Sequence, residues 1–161
     1  MTQPSGRLAE LGISLPAVAA PVASYVPAVR CGDLVFSSGQ LPSVEGQLIA
    51  TGRVGAEVSV ETAAACARAA ALNAVAAVAA QAGGVDAIEH VVKMVVFVAC
   101  ASDFTGQPQV GNGASAVLQE IFGLSGEHAR SAVGVASLPL NAPVEIELIV
   151  AVGAQPTVHA V

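Results

Sequence analysis

Aromatic side chains are scarce: the chain has no tryptophan, one tyrosine and four phenylalanines. That removes most of the stacking surface on which nucleic-acid bases are held. Charge is scarce too, at 11% of residues, and it is unbalanced: 6 Lys and Arg face 12 Asp and Glu, a formal net charge of -6. Phosphate backbones are bound by clustered cations, and this chain has no such cluster, so nucleic acid is not an expected partner. A small anion needing one or two cations is not excluded. Cysteines number three (Cys31, Cys66 and Cys100), with no CxxC pair. An odd count at this spacing suggests neither a disulfide framework nor a zinc site. Reduced thiols in a cytoplasm are the simplest reading. The first residues lack the basic start and apolar core of a signal peptide. The longest apolar stretch, Ala63 to Ala82, is interrupted by Arg68, Asn73 and Gln81. Being mostly alanine, it is too weakly hydrophobic to read as a membrane span.

What the chain has in quantity is small apolar residues. Hydrophobic residues make up 54% of its 161 residues, which excludes a disordered polymer and suits one domain. So few charged side chains cannot cover its surface. Large uncovered apolar patches usually mark interfaces, so a homo-oligomer is expected.

Punctuation and periodicity give the element order. Gly6 to Gly12 reads as a short helix and Leu15 to Ser24 as an extended lead-in. Tyr25–Arg30 and Leu34–Ser38 read as strands joined at Cys31-Gly32-Asp33, and a further short strand fits Gln47–Ala50. Ser59 is a good N-cap for a helix over Val60–Gln81, with Gly83-Gly84 as its stop. His90–Ala99 is a β-branched run, read as a strand buried on both faces. Pro108–Phe122 reads as a second helix, and Arg130–Ser137 and Val144–Val152 as the last strands. The expected architecture is α+β: a mixed six-stranded sheet with two helices on one face. Residues 1–24 are an N-terminal extension, 25–153 the domain and 154–161 a loose tail.

Several residues could carry chemistry. Arg130 shares a strand face with Ala132, Gly134 and Ala136, and small neighbours leave room beside a guanidinium. A fork-shaped cation beside a void can hold a carboxylate with two hydrogen bonds. The alternative is an arginine paired with a glutamate across the sheet. Glu145 and Glu147 alternate with Val144, Ile146 and Leu148, so both point to one face. Either they are a solvated face, or one of them moves a proton or orients water. Tyr25 and Ser37-Ser38-Gly39 can line a pocket or serve as rim packing and turn chemistry. His128 reads as a loop histidine beside Glu127, though it lies two residues before Arg130. Asn112-Gly113-Ala114-Ser115 reads as a helix-start cap, with a site lining as the alternative. No metal spacing and no Ser-His-Asp or Cys-His pair can be argued from the sequence.

Taken in order, these pieces resemble the Rid/YjgF family, also labelled endoribonuclease L-PSP, whose fold is similar to trimeric chorismate mutase. The resemblance runs from Tyr25 and Gly32 through Ser37-Ser38-Gly39-Gln40-Leu41-Pro42, Asn73, Val92-Lys93, Phe97-Val98 and Asp103-Phe104. It continues from Arg130-Ser131 through Leu138-Pro139 to Val144-Glu145-Ile146-Glu147. It implies a homotrimer with ligand clefts between subunits, and deamination of enamines and imines of the 2-iminobutanoate/2-iminopropanoate type to 2-keto acids and ammonia. It implies that Arg130 grips the substrate carboxylate, that Glu145 positions the attacking water, and that Tyr25 and Ser38 line the cleft. Ala132 stands where the family usually has a cysteine beside the substrate, and Asn112 falls in the helix next to the cleft. No metal or organic cofactor is implied. His128 departs from the family's loop, where many members carry proline, so the chain reads as a divergent branch.

Two other readings compete. The cleft could hold a small carboxylate such as a 2-keto acid and regulate a partner without turnover. Alternatively, the chain could cleave RNA, after the family's old label, which the acidic balance disfavours.

Overall fold

Helix α2 (Val60–Ala82) shows how directly local sequence writes local structure. The Ser59 hydroxyl accepts a hydrogen bond from the Thr62 N–H at 3.1 Å, satisfying a donor that the first turn leaves orphaned. Alanine carries the interior at little entropic cost. Gly83, at φ 92°, ends the helix in the left-handed conformation that side chains resist. Apolar residues are buried almost all round it from Ala70 to Ala79, because one side meets the sheet and another meets the helix after it. Cys66, one turn before Ala70, is buried as well, and burial pushes its thiol pKa up.

In this computed structural model of the protein, the described residues are 2–18 and 24–153. The strands are β1 (Ala28–Cys31), β2 (Leu34–Ser37), β3 (Ser43–Val44), β4 (Gln47–Leu48), β5 (Ile88–Ala99), β6 (Ala129–Val135) and β7 (Val144–Val152). The main sheet has five strands in the order β1-β2-β7-β5-β6. All neighbours are antiparallel except β5 and β6, which run parallel and are joined through helix α3 (Gln107–Phe122). The six-stranded sheet is therefore corrected to five. The Gln47 segment pairs only with β3, in a separate two-stranded ribbon. Glu45 and Gly46, both at positive φ, turn it back on its neighbour within two residues.

Helix α1 (Pro4–Glu10) lies against α3, with Leu8 buried, and the Ser5 N–H and hydroxyl both bond the Asp86 carboxylate, at 2.8 and 2.7 Å. Within the expected lead-in, residues 19–23 fall outside the described residues, as does the expected tail from 154 onward.

One sheet face is closed by α2 and α3. Met94, Val96 and Val98 of β5 and Ile146 and Leu148 of β7 are fully buried there. The other face carries Lys93, Val95 and Phe97, all only partly covered. The strand expected to be buried on both faces thus alternates within one chain. The helices themselves cross closely. A Cβ at Gly113 of α3 would overlap the backbone carbonyl of Ala64 in α2, so only glycine permits this approach.

Candidate functional site

Register decides what faces what. Arg130 pairs with Met94, and Met94 with Leu148, so the three point to the helix-covered face. β6 is an edge strand, and the guanidinium runs beneath α3 beside Gly111, where a Cβ would come within 3.3 Å of Nη1. Asn112, Ser115 and Gln119 share one face of α3 by helical spacing. Arg130 Nη1 donates to Asn112 Oδ1 and to Ser115 Oγ, both at 3.0 Å.

Those two bonds use both hydrogens of Nη1. Nε and Nη2 donate to nothing among the described residues, and no carboxylate pairs with Arg130 among them. An arginine presents five donors in a rigid fork, so the Nε–Nη2 edge is left as a pre-aimed bidentate surface. Arg130 lines a cleft of about 290 Å³ together with Ser115, Gln119, Gly126, Glu127 and His128. The Arg–Glu pairing across the sheet is not what the structure shows. Ala132, next on the same strand face, packs half-buried against the core.

Three residues read more blandly from sequence belong to this cluster. Asn112 and Ser115 are not a helix-start cap, since α3 begins five residues before Asn112 with Gly106 at its N-cap. His128 is held at both ring nitrogens, with Nδ1 2.6 Å from the Gly126 carbonyl and Nε2 3.1 Å from Ser115 Oγ. A polar stripe at helical spacing, and a histidine two residues before the arginine, were the available signals.

Glu145 lies elsewhere. It pairs with Phe97, so Glu145 and Glu147 occupy the open face, with β5 between their strand and that of Arg130. Partial burial holds the Glu145 carboxyl above the usual carboxylate range, and the like charge of Glu147 adds to this. The segment Ser38-Gly39-Gln40 runs beside it, because Gln40 and Ile146 exchange backbone hydrogen bonds at 2.8 and 3.0 Å. A Cβ at Gly39 would overlap the Glu145 carboxylate, so glycine there is what lets the loop cross it. The Ser38 hydroxyl donates to the Val26 carbonyl at 2.6 Å, which ties the loop to the segment holding Tyr25. Tyr25 itself is 53% exposed. The predicted residues therefore form two groups in one chain: Arg130, Asn112 and Ala132 on the helix side, and Glu145, Ser38 and Tyr25 around the open face and its rim.

Among the described residues no three His, Cys, Asp or Glu side chains converge as metal ligands do. A separate cavity of about 690 Å³ lies under the lead-in, between Pro16, Leu72 and Asn73, and contains neither group.

Known proteins resemble the chain throughout its length. It is 45% identical over 151 residues to Protein TCP17 of Trypanosoma cruzi, covering 91% of this chain and 94% of that one. It is 36% identical over 141 residues to a 2-iminobutanoate/2-iminopropanoate deaminase of Dermatophagoides farinae, covering 87% and 94%. Among solved structures it matches Atu1372 of Agrobacterium tumefaciens, a protein of unknown function, with a TM-score of 0.86, 44% identity and 93% of each chain covered. It also matches E. coli TdcF with bound serine, with a TM-score of 0.62, 26% identity and coverage of 87% and 96%. The model of the YjgF/chorismate mutase-like endoribonuclease family matches residues 5–152. On this agreement of sequence and fold, the chain belongs to the YjgF/chorismate mutase-like family.

Proposed function

We propose that the protein is a cofactor-free deaminase of small enamines and imines bearing a carboxylate, hydrolysing them to 2-keto acids and ammonia. The observation that carries this reading is the Arg130 guanidinium. Two of its donors are tied down by Asn112 and Ser115, its Nε–Nη2 edge has no partner among the described residues, and Arg130 lines an open cleft. That is an arrangement for gripping a carboxylate, since the unused edge of a rigid guanidinium fork matches two carboxylate oxygens. Similarity to a 2-iminobutanoate/2-iminopropanoate deaminase over most of both chains supports the same chemistry.

Completion of the site requires a second copy. Arg130 and Glu145 lie on opposite faces of one sheet, so a ligand touching both must sit between subunits. The open face offers the means: Val29, Phe36 and Val133 are 55%, 36% and 44% exposed on it. Apolar surface of this kind is covered by partners in soluble oligomers. We infer a homotrimer in which one copy supplies Arg130, Asn112 and Ala132 and its neighbour supplies Glu145, Ser38 and Tyr25. Glu145, with its raised pKa, would orient the attacking water. Three free cysteines fit a cytoplasmic setting.

The test is to generate 2-aminoacrylate or a homologous imine with an amino-acid dehydratase and follow its decay. The protein should accelerate ammonia release, and Arg130→Ala should lose roughly 100-fold in kcat/KM. That corresponds to two charge-assisted hydrogen bonds worth about 1.5 kcal/mol each. Unaltered decay in the presence of the intact protein would reject the reading.

A second reading has its own observation: among the described residues the one carboxylate lining the Arg130 cleft, that of Glu127, makes no ion pair with Arg130, and Glu145 lies on the opposite sheet face. The cleft would then bind 2-keto acids without turnover and serve regulation. Thermal stabilisation by 2-oxobutanoate, abolished in Arg130→Ala and unaccompanied by imine turnover, would establish it.

A further inference from the structure

The cleft beside Arg130 contains a hydrogen-bonded chain that the gripping of a carboxylate does not require. From the core outward it runs from the Gly126 carbonyl to His128 Nδ1 at 2.6 Å, and from His128 Nε2 to Ser115 Oγ at 3.1 Å. It ends with Arg130 Nη1, 3.0 Å from the same Oγ. A carbonyl oxygen can only accept, so Nδ1 carries a proton. In the neutral ring Nε2 is then a bare acceptor. Arg130 can only donate, so Ser115 Oγ accepts from Nη1 and its own hydrogen is free to point at Nε2. Each link has one direction. The result is a hydroxyl polarised toward an imidazole whose far side is anchored, the relation by which a base activates a neighbouring group.

The surroundings favour proton handling over a purely structural bond. Ser115, His128 and Arg130 all border the same cleft of about 290 Å³. Glu127 lines it too but makes no hydrogen bond to the imidazole among the described residues, so the ring's orientation is set by the backbone. Among the described residues His128 is the titratable side chain linked to Arg130 by hydrogen bonds, through a single hydroxyl. Glu145 is on the other face.

We propose that Ser115 and His128 are the proton relay of the Arg130 cleft. This deepens the deaminase reading and rests on it. With the carboxylate on the Nε–Nη2 edge, the imine carbon is the next atom along the substrate. As water adds, its oxygen bonds to that carbon and the C=N electron pair moves to nitrogen. Ser115 lies on the Nη1 side, away from the Nε–Nη2 edge, so one water proton passes through a single bridging water to Ser115 Oγ, while the Ser115 proton passes to His128 Nε2. The chain then runs in reverse: the imidazolium returns its proton through Ser115 to the nitrogen, giving a carbinolamine. A second passage takes the carbinolamine hydroxyl proton and delivers it to the amino group. The C–N bond breaks, C=O forms, and ammonia leaves. Imine and water are converted to keto acid and ammonia, with Ser115 and His128 restored. In this scheme a neighbouring copy's Glu145 orients the water and the relay moves its proton.

The test uses the full-length protein with dehydratase-generated imine, comparing it with Ser115→Ala and His128→Gln. Glutamine keeps a polar group beside Ser115 but has no nitrogen that can gain and lose a proton. The expected result is a fall in kcat of roughly 100-fold for His128→Gln, with KM changed little, since the carboxylate grip is intact. Imidazole added to His128→Ala should restore part of the lost rate. Affinity for 2-oxobutanoate, read by thermal shift, should persist in both histidine variants. If His128→Gln keeps its kcat, the relay is refuted while deamination stands. A rise in KM with a lower Tm and unchanged kcat would reduce the pair to a support for Arg130 and also refute it. If the intact protein accelerates no imine decay, the deaminase reading fails and the relay falls with it.

Discussion

On one side of the sheet, Met94, Val96, Val98, Ile146 and Leu148 are sealed beneath α2 and α3. On the other, Val29, Phe36 and Val133 lie exposed around two glutamates, one of which has its carboxyl pKa raised by partial burial. The sealed side uses small residues to bring helices close, as at Gly113 and along the alanines of α2. It also carries Arg130 at its edge, oriented by residues of the same chain. The open side is half a core. Its apolar residues lose little water within one chain, so the hydrophobic effect contributes little there to the folding of a single copy. The comparison teaches that a single chain holds one finished layer and one unfinished layer, with half of the candidate site on each.

The contrast breaks most completely at Phe36. Light scattering should give the native protein the mass of three chains. Phe36→Asp should give a folded single chain with an unchanged far-UV spectrum, because a buried unpaired charge is intolerable in an interface but harmless in water. A native mass of one chain would remove the trimer. Met94→Ala attacks the other side. It should cost about 2–5 kcal/mol of stability and lower Tm by roughly 4–20 °C. Gly113→Val tests the helix crossing itself. Steric overlap with the Ala64 carbonyl should cost about 1–3 kcal/mol, against a small gain in helix propensity, and a Tm equal to the parent's would contradict the close approach.

The smallest effect is at Glu145 and has the opposite sign. Its carboxyl pKa is raised in the folded state, so the fold favours the protonated form. Its stabilising contribution is complete below the ordinary carboxylate range and is lost as pH rises through the raised value. Glu145→Gln should therefore raise Tm slightly at neutral pH and flatten the pH dependence above that range, while losing turnover. Differential scanning calorimetry from pH 4 to pH 8 reads this directly. A lower Tm at neutral pH would show that the carboxylate is stabilised by a contact on the open face.

Legibility in the sequence followed the range of the interactions. The cap at Ser59, the stop at Gly83 and the strand Val144–Val152 lay where local rules put them, since each depends on neighbours a few residues away. The alternation that puts Glu145 and Glu147 on one face was equally readable. The sixth strand of the sheet was not. A Gln47 segment looks the same whether it joins the main sheet or folds back on β3, and long-range register makes the choice. The β5 run looked buried on both faces because a β-branched strand whose second face is only half-covered has the same composition as one sealed on both.

By itself, then, the sequence determined the element order, the alternation of the strands, the shortage of surface charge and the presence of an arginine among small neighbours. These follow from local geometry and composition. Only the tertiary structure decided that Arg130 and Glu145 lie on opposite faces, and that Ser115 and His128, thirteen residues apart, meet beside the guanidinium. Such meetings depend on how α3 and the turn after it return the chain to β5, a relation between distant segments that no window of sequence contains.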